Sequence, residues 1–147
     1  MKALIVYDSL TGQTEKIAQA ISGGMMEVGF VDYVIKKVKN TSVEDFKEAS
    51  FWIIGSPTHL STATHRVRSA VRKATAGGVE GKKAVVFDTR IGSVHMGAND
   101  KLVPMLTNAG VPVVLVESFL IVNNYLDAGE EMKAVTFGRK IAGALRP

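Results

Sequence analysis

Three hydroxyl side chains, Ser9, Thr11 and Thr14, fall at spacing i, i+2, i+5 around one glycine in Tyr7-Asp8-Ser9-Leu10-Thr11-Gly12-Gln13-Thr14. Hydroxyls donate hydrogen bonds without bringing charge. Where such a stretch joins a strand to a helix, backbone N–H groups and the positive helix end converge on one point. That combination suits a phosphate. The competing reading is plain helix capping by Ser9 or Thr11; three hydroxyls with Gly12 favour the phosphate.

The flanking residues supply the strand and the helix. Lys2–Tyr7 is an apolar run of strand length, and Gln13–Val28 places Ile17, Ile21, Met25 and Val28 on one face at the 3.6-residue period. Gly29 stops that helix. Apolar runs and helical patterns then alternate: a strand at 31–38, whose Lys36 and Lys37 suit an edge; a short helical turn near Ser42–Phe46; an apolar strand at Ser50–Gly55; a helix at Thr64–Ala74; a strand at Lys83–Asp88; a helix at Asn99–Ala109, in which Pro104 belongs near the first turn or bends the axis; a strand at Val111–Val116; a connection from Phe119 to Asp127; and a last helix to Leu145. The expectation is one α/β domain over residues 1–147, a three-layer doubly wound fold with five parallel strands. With strand order 2-1-3-4-5, the loops after strands one, three and four are neighbours at the carboxyl edge, where such folds bind ligands. Two of them, 56–63 and 89–98, are longer than connections of this kind usually are. They suggest walls for a bulky group attached to the phosphate.

Composition narrows the classes. The chain of 147 residues has no cysteine, which removes disulfides, thiolate metal sites and a cysteine nucleophile. His65 and His95 lack the spacing of a metal pair. No apolar stretch is long enough to span a membrane, and the apolar residues before Asp8 are too few for a secretory leader. The expected location is cytoplasmic. A net charge of +4 fits an anionic cofactor or an acidic partner; nucleic-acid binding would rest on charge alone, without an aromatic platform. The nucleotide-binding patterns Gly-x-x-x-x-Gly-Lys-Ser/Thr and Gly-x-Gly-x-x-Gly are absent, and so are the paired carboxylates of a receiver domain.

Ser9-Leu10-Thr11-Gly12-Gln13-Thr14 resembles the phosphate loop of the flavodoxins, and Gly55-Ser56-Pro57-Thr58 resembles the second loop of flavodoxin-like domains. The resemblance spans the chain and matches a short-chain flavodoxin. It implies FMN, with the phosphate on Ser9, Leu10, Thr11, Gly12, Gln13 and Thr14. The ring would lie between Ser56, Pro57, Thr58, His59 and Leu60 on one side and Asp88, Thr89, Arg90, Ile91, Gly92 and Met96 on the other. No residue is required as a general acid or base, because the flavin carries the redox chemistry. The resemblance implies an electron carrier working with a redox partner protein. The alternatives are an NAD(P)H-dependent quinone or flavin reductase on the same fold, and a module that has lost tight FMN binding. The chain is short for a dedicated nicotinamide domain.

Two departures stand out. Neither ring loop contains Trp, Tyr or Phe, so ring stacking should be weak. Arg90, Arg66 and Arg68 lie in or just after those loops. An unpaired cation about 6 Å from the ring would be worth roughly 3 kcal/mol at an effective dielectric near 20. The expectation is therefore a less negative reduction potential for bound FMN than in acidic flavodoxins, and an acidic partner or anionic substrate. Trp52, inside an apolar strand, reads as core, and the basic helix at 66–73 as a solvated face.

Overall fold

Both faces of the central sheet are covered, which explains why its strands read as unbroken apolar runs. A computed structural model describes residues 2–145. Its strands are β1 (Ala3–Tyr7), β2 (Tyr33–Lys37), β3 (Phe51–Pro57), β4 (Lys83–Ile91), β5 (Val113–Val122) and β6 (Tyr125–Leu126). The helices are α1 (Gln13–Glu27), α2 (Val43–Glu48), α3 (His65–Ala76), α4 (Ala98–Asn108) and α5 (Glu130–Leu145), with a 3-10 turn at Val38–Asn40. The strand order is β2-β1-β3-β4-β5-β6. The first five strands are parallel, in the expected order, and β6 adds an antiparallel edge.

Alternation along each strand divides the core in two. Ile5, Ile53, Val85, Phe87 and Phe119 pack against Ile17, Ile21 and Met25 of α1 and Phe137 and Ile141 of α5. Leu4, Val6, Trp52, Ile54 and Val86 pack against Phe46 of α2, Val67 and Val71 of α3 and Leu102 and Leu106 of α4. Trp52 is core, as its strand suggests. Its Nε1 donates to the Phe46 carbonyl at 2.9 Å, and the two rings meet edge-on at 5.2 Å. The α1–α5 seam brings backbone onto backbone: a Cβ on Gly24 would enter the Val135 carbonyl, and one on Gly138 the Ile21 carbonyl.

Two strands outrun their apolar cores. β4 continues past Asp88, so Thr89, Arg90 and Ile91 are strand rather than loop, in register with Phe119, Leu120 and Ile121. β5 continues through the polar pair Glu117-Ser118. That pair is tolerated because β5 lies at the rim, where Lys133 donates to the Ser118 carbonyl at 2.7 Å and sits 3.4 Å from the Glu117 carboxylate. The expected connection at 119–127 is thus mostly strand, closed by Asn123 and Asn124, both at positive φ (52° and 69°). Left-handed conformations at both central residues make a two-residue hairpin turn, and asparagine tolerates them well. Pro104 is the seventh residue of α4, inside the helix rather than in its first turn. It cannot donate to the Asp100 carbonyl. Among the described residues no helix is long and apolar enough to cross a membrane.

Candidate functional site

The turn from β1 into α1 is held by its own side chains. Asp8 accepts from the Ser9 amide at 2.9 Å, and the Ser9 hydroxyl accepts from the amides of Gly12 at 3.0 Å and Glu15 at 3.4 Å. Gly12 sits at φ 87°, the left-handed region that lets the chain reverse into the helix. This geometry leaves the amides of Leu10, Thr11, Gln13 and Thr14 without acceptors among the described residues. The Thr11 hydroxyl is likewise unengaged. Buried Gln13 carries a side-chain oxygen with no donor. The Thr14 hydroxyl hydrogen-bonds the Thr89 hydroxyl at 2.9 Å, tying the turn to β4. Several free N–H groups at the positive end of a fifteen-residue helix form a ready anion cradle.

After β3 the chain makes a tight reversal. His59 and Thr62 exchange amide–carbonyl bonds of 2.8 and 3.1 Å around Leu60 (φ 50°) and Ser61 (φ 65°). A left-handed leucine is uncommon and costs about 1–2 kcal/mol. It points Leu60 outward, 86% exposed. Thr58 anchors this loop: its amide donates to the Thr89 carbonyl at 2.9 Å and its Oγ1 accepts from the Ala98 amide at 3.0 Å, capping α4. The Ser56 hydroxyl is buried, accepting from the Thr64 amide and donating to the Pro57 carbonyl.

The third wall is built on an ion pair. Asp88 is fully buried and accepts from Arg90 through Nη2 at 2.5 Å and Nε at 3.1 Å, and from the Asn99 amide at 2.9 Å. Arg90 also lies 3.4 Å from Asp100, whose carboxylate accepts from the Gly97 amide at 2.7 Å. The guanidinium occupies the space that a Cβ at Gly97 would need. Its bonds to Asp88 raise its pKa further above the ordinary arginine value, so it stays cationic. Arg90 is therefore not the bare cation that its loop position suggests. Two carboxylates surround one guanidinium, so Arg90 does not supply its share of the unpaired positive charge expected at the ring walls.

These three walls enclose a cleft of about 730 Å³ at the carboxyl ends of β1, β3 and β4. Leu10 and Thr11, Pro57 and Thr58, and Thr89 to Ser93 line it, with Ile121 to Asn124 closing the far side. Its size and mixed lining are those of a small-ligand site.

A family model, "Flavodoxin", matches residues 5–115. The chain belongs to the flavodoxin family. It is similar to a flavodoxin of Clostridium saccharobutylicum, 24% identical over 99% of this chain and 98% of that one. Its fold is that of oxidised flavodoxin 1 from Bacillus cereus, with a TM-score of 0.85 at 20% identity, covering 99% of this chain and all of the other. A flavodoxin from the domain Archaea superposes with a TM-score of 0.80 at 22% identity, covering 98% of both chains. FMN is the family's cofactor and electron transfer to a redox partner its work, and both hold for this flavodoxin.

In this flavodoxin, Leu10, Thr11, Pro57, Thr58, Thr89, Arg90, Ile91 and Gly92 come together around the cleft, and Ser9, Gly12, Gln13 and Thr14 lie outside its lining, in the adjoining turn from β1 into α1. Asp88 and Ser56 stand behind the walls as buried struts. His59, Leu60 and Met96 are exposed and lie outside the lining. Sequence reasoning missed Ser93, Ile121, Val122, Asn123 and Asn124. The last four come from the β5–β6 hairpin, whose signal was the Asn-Asn pair between two apolar runs. The lining contains no Trp, Tyr or Phe.

Proposed function

We propose that this single domain is a cytoplasmic electron carrier that holds the FMN phosphate on the β1–α1 turn and the ring in the adjoining cleft. One observation carries the reading: four amides without acceptors among the described residues, those of Leu10, Thr11, Gln13 and Thr14, lie in one turn with the Thr11 hydroxyl at a helix N-terminus that adjoins the cleft. A dianion there exchanges water for oriented N–H donors, and the helix dipole adds to the attraction.

FMN supplies the redox chemistry, taking up and releasing electrons. The protein positions and shields it. Pro57, Ile91, Ile121 and Val122 exclude water from the cleft, and the Thr58–Thr89 and Arg90–Asp88 bonds fix the distance between its walls. The charge balance of the chain supports an acidic redox partner.

Added FMN should lose its fluorescence and show a shifted absorption band on binding. The loaded protein should pass electrons to a one-electron acceptor after photoreduction, without turning over NADPH with a quinone. Steady NADPH–quinone turnover would instead make it a reductase. Failure to take up FMN would remove the carrier reading.

A further inference from the structure

We propose that the groove between α3 and the Val38–Phe46 segment is where an acidic segment of the redox partner docks. The inference rests on the electron-carrier reading and assigns its partner a place.

The groove holds about 320 Å³ and is separate from the flavin cleft. Lys39, His65, Arg66 and Lys73 line it with Thr41, Ser42 and Ser69. None of those four basic side chains has a hydrogen-bond or ion-pair partner among the described residues. Among the described residues no carboxylate lines the groove. Asp45 is turned to Lys36 at 2.9 Å and to the Ser42 amide, and Glu44 lies 3.5 Å from Lys47. Buried Val38 and Phe46, with Val43 and Ala70, form an apolar floor beneath the charges. An amphipathic acidic segment matches that pattern, with carboxylates on Lys39, Arg66 and Lys73 and an apolar side chain on the floor.

The electrostatics of α3 point the same way. α1, α2, α4 and α5 each carry acidic side chains in the first turn, as the helix dipole favours. α3 carries none and opens His65-Arg66-Val67-Arg68. Positive charge on a positive helix end is unfavourable within this chain. An anionic surface brought against it removes that cost. The position is also apt: the loop that walls the flavin cleft at Pro57 and Thr58 runs directly into α3, so a partner on the first turn of α3 sits beside the cofactor.

The test uses FMN-loaded protein and an acidic two-iron ferredoxin as acceptor. In stopped flow the photoreduced wild type should react fastest at low salt and slow as salt rises, as attraction between opposite charges requires. R66E/K73E should lower the low-salt rate at least tenfold and reverse its salt dependence, with FMN affinity unchanged. K83E/K140E, the same change in net charge at the far end of the sheet and on α5, should lower it less than threefold. Equal effects of the two double variants would overturn the proposal, leaving only net charge. So would an unchanged rate in R66E/K73E together with saturable binding of inorganic pyrophosphate to the wild-type groove. That result would assign the groove to a small polyanion. A wild type that binds no FMN fails the carrier reading instead, and fluorescence quenching reports that separately.

Discussion

Arg90 closes on the buried carboxylate of Asp88 through two hydrogen bonds, 2.5 Å from Nη2 and 3.1 Å from Nε, while the same carboxylate accepts from the Asn99 amide at the start of α4. One residue inside β4 thus fixes the guanidinium, the helix start and the loop between them. Asp100 approaches the guanidinium from the other side. The local charge is that of two carboxylates and one cation.

Asp88→Asn removes one of the two carboxylates at Arg90 and leaves Asp100, 3.4 Å away. Losing one of two charge partners of a mostly buried guanidinium should destabilise folding by less than the ~3–5 kcal/mol of a buried charge left wholly unpaired. In the protein that still folds and binds FMN, the reduction potential should rise by several tens of millivolts. The ceiling is roughly 3 kcal/mol, for a bare charge about 6 Å away at an effective dielectric near 20. Potentiometric titration of both proteins checks this. Equal potentials would mean that the ion pair does not set the field at the cofactor.

Thr11→Ala tests the phosphate cradle. A hydrogen bond to a charged group contributes about 1.5–3 kcal/mol. FMN affinity should therefore fall about 10- to 100-fold, while riboflavin, which lacks the phosphate, should bind the variant and the wild type alike. A parallel loss for riboflavin would place Thr11 against the ring rather than the phosphate. Fluorescence quenching titrations give both constants.

The β1–α1 turn was legible because its geometry is local: Ser9, Thr11, Gly12 and Thr14 are close in sequence, and the turn follows from a strand and a helix on either side. The far wall was not. Ile121 to Asn124 reach the cleft only because β5 continues through Glu117-Ser118, and nothing in that polar pair tells that Lys133, fifteen residues on from Ser118, takes up its charge and carbonyl. The pairing of Arg90 was hidden for a similar reason. Its loop-like sequence context hides that Asp88 points back at it and that Gly97 makes room for it. Strand order and the apolar faces of the helices needed only periodicity.

Neighbouring glycines in α1 should respond in opposite ways. Gly23 has open space where a Cβ would go, so Gly23→Ala should stabilise the protein by about 0.5–1 kcal/mol through helix propensity. Gly24 faces the Val135 carbonyl of α5. Gly24→Ala must push the two helices apart and should cost about 3 kcal/mol or more, above the common range for an overpacked site because the clash is with backbone. Denaturant unfolding of the two variants separates them, and similar midpoints would refute the close seam.

Tyr7 gives the protein an alkaline weakness. Its hydroxyl donates to Glu15 at 2.9 Å, and burial, followed by that hydrogen bond, pushes its pKa up to about 12 from 10. The native state then holds the phenolic proton more tightly than the unfolded chain. Its stabilising effect is complete below pH 10 and is lost as pH rises toward 12. Tyr7→Phe should lower stability at pH 8 and flatten its decline between pH 10 and 12. An unaltered slope would show that Tyr7 titrates normally.

Leu60 spends backbone energy for an exposed side chain. It occupies the left-handed region at φ 50°, 86% exposed, on the loop between the flavin cleft and α3. Asparagine adopts that conformation more cheaply, so Leu60→Asn should raise stability by about 1 kcal/mol. Leu60 does not line the cleft, so FMN affinity should stay within about twofold. Strain of this kind persists where a side chain is needed in place. Leu60 lies on the loop between β3 and α3; if a partner seated on the α3 groove also touches it, the variant should transfer electrons more slowly to a protein acceptor while reacting normally with a small one such as ferricyanide. A variant that is both more stable and equally fast with the protein acceptor would leave the strain without a functional cause.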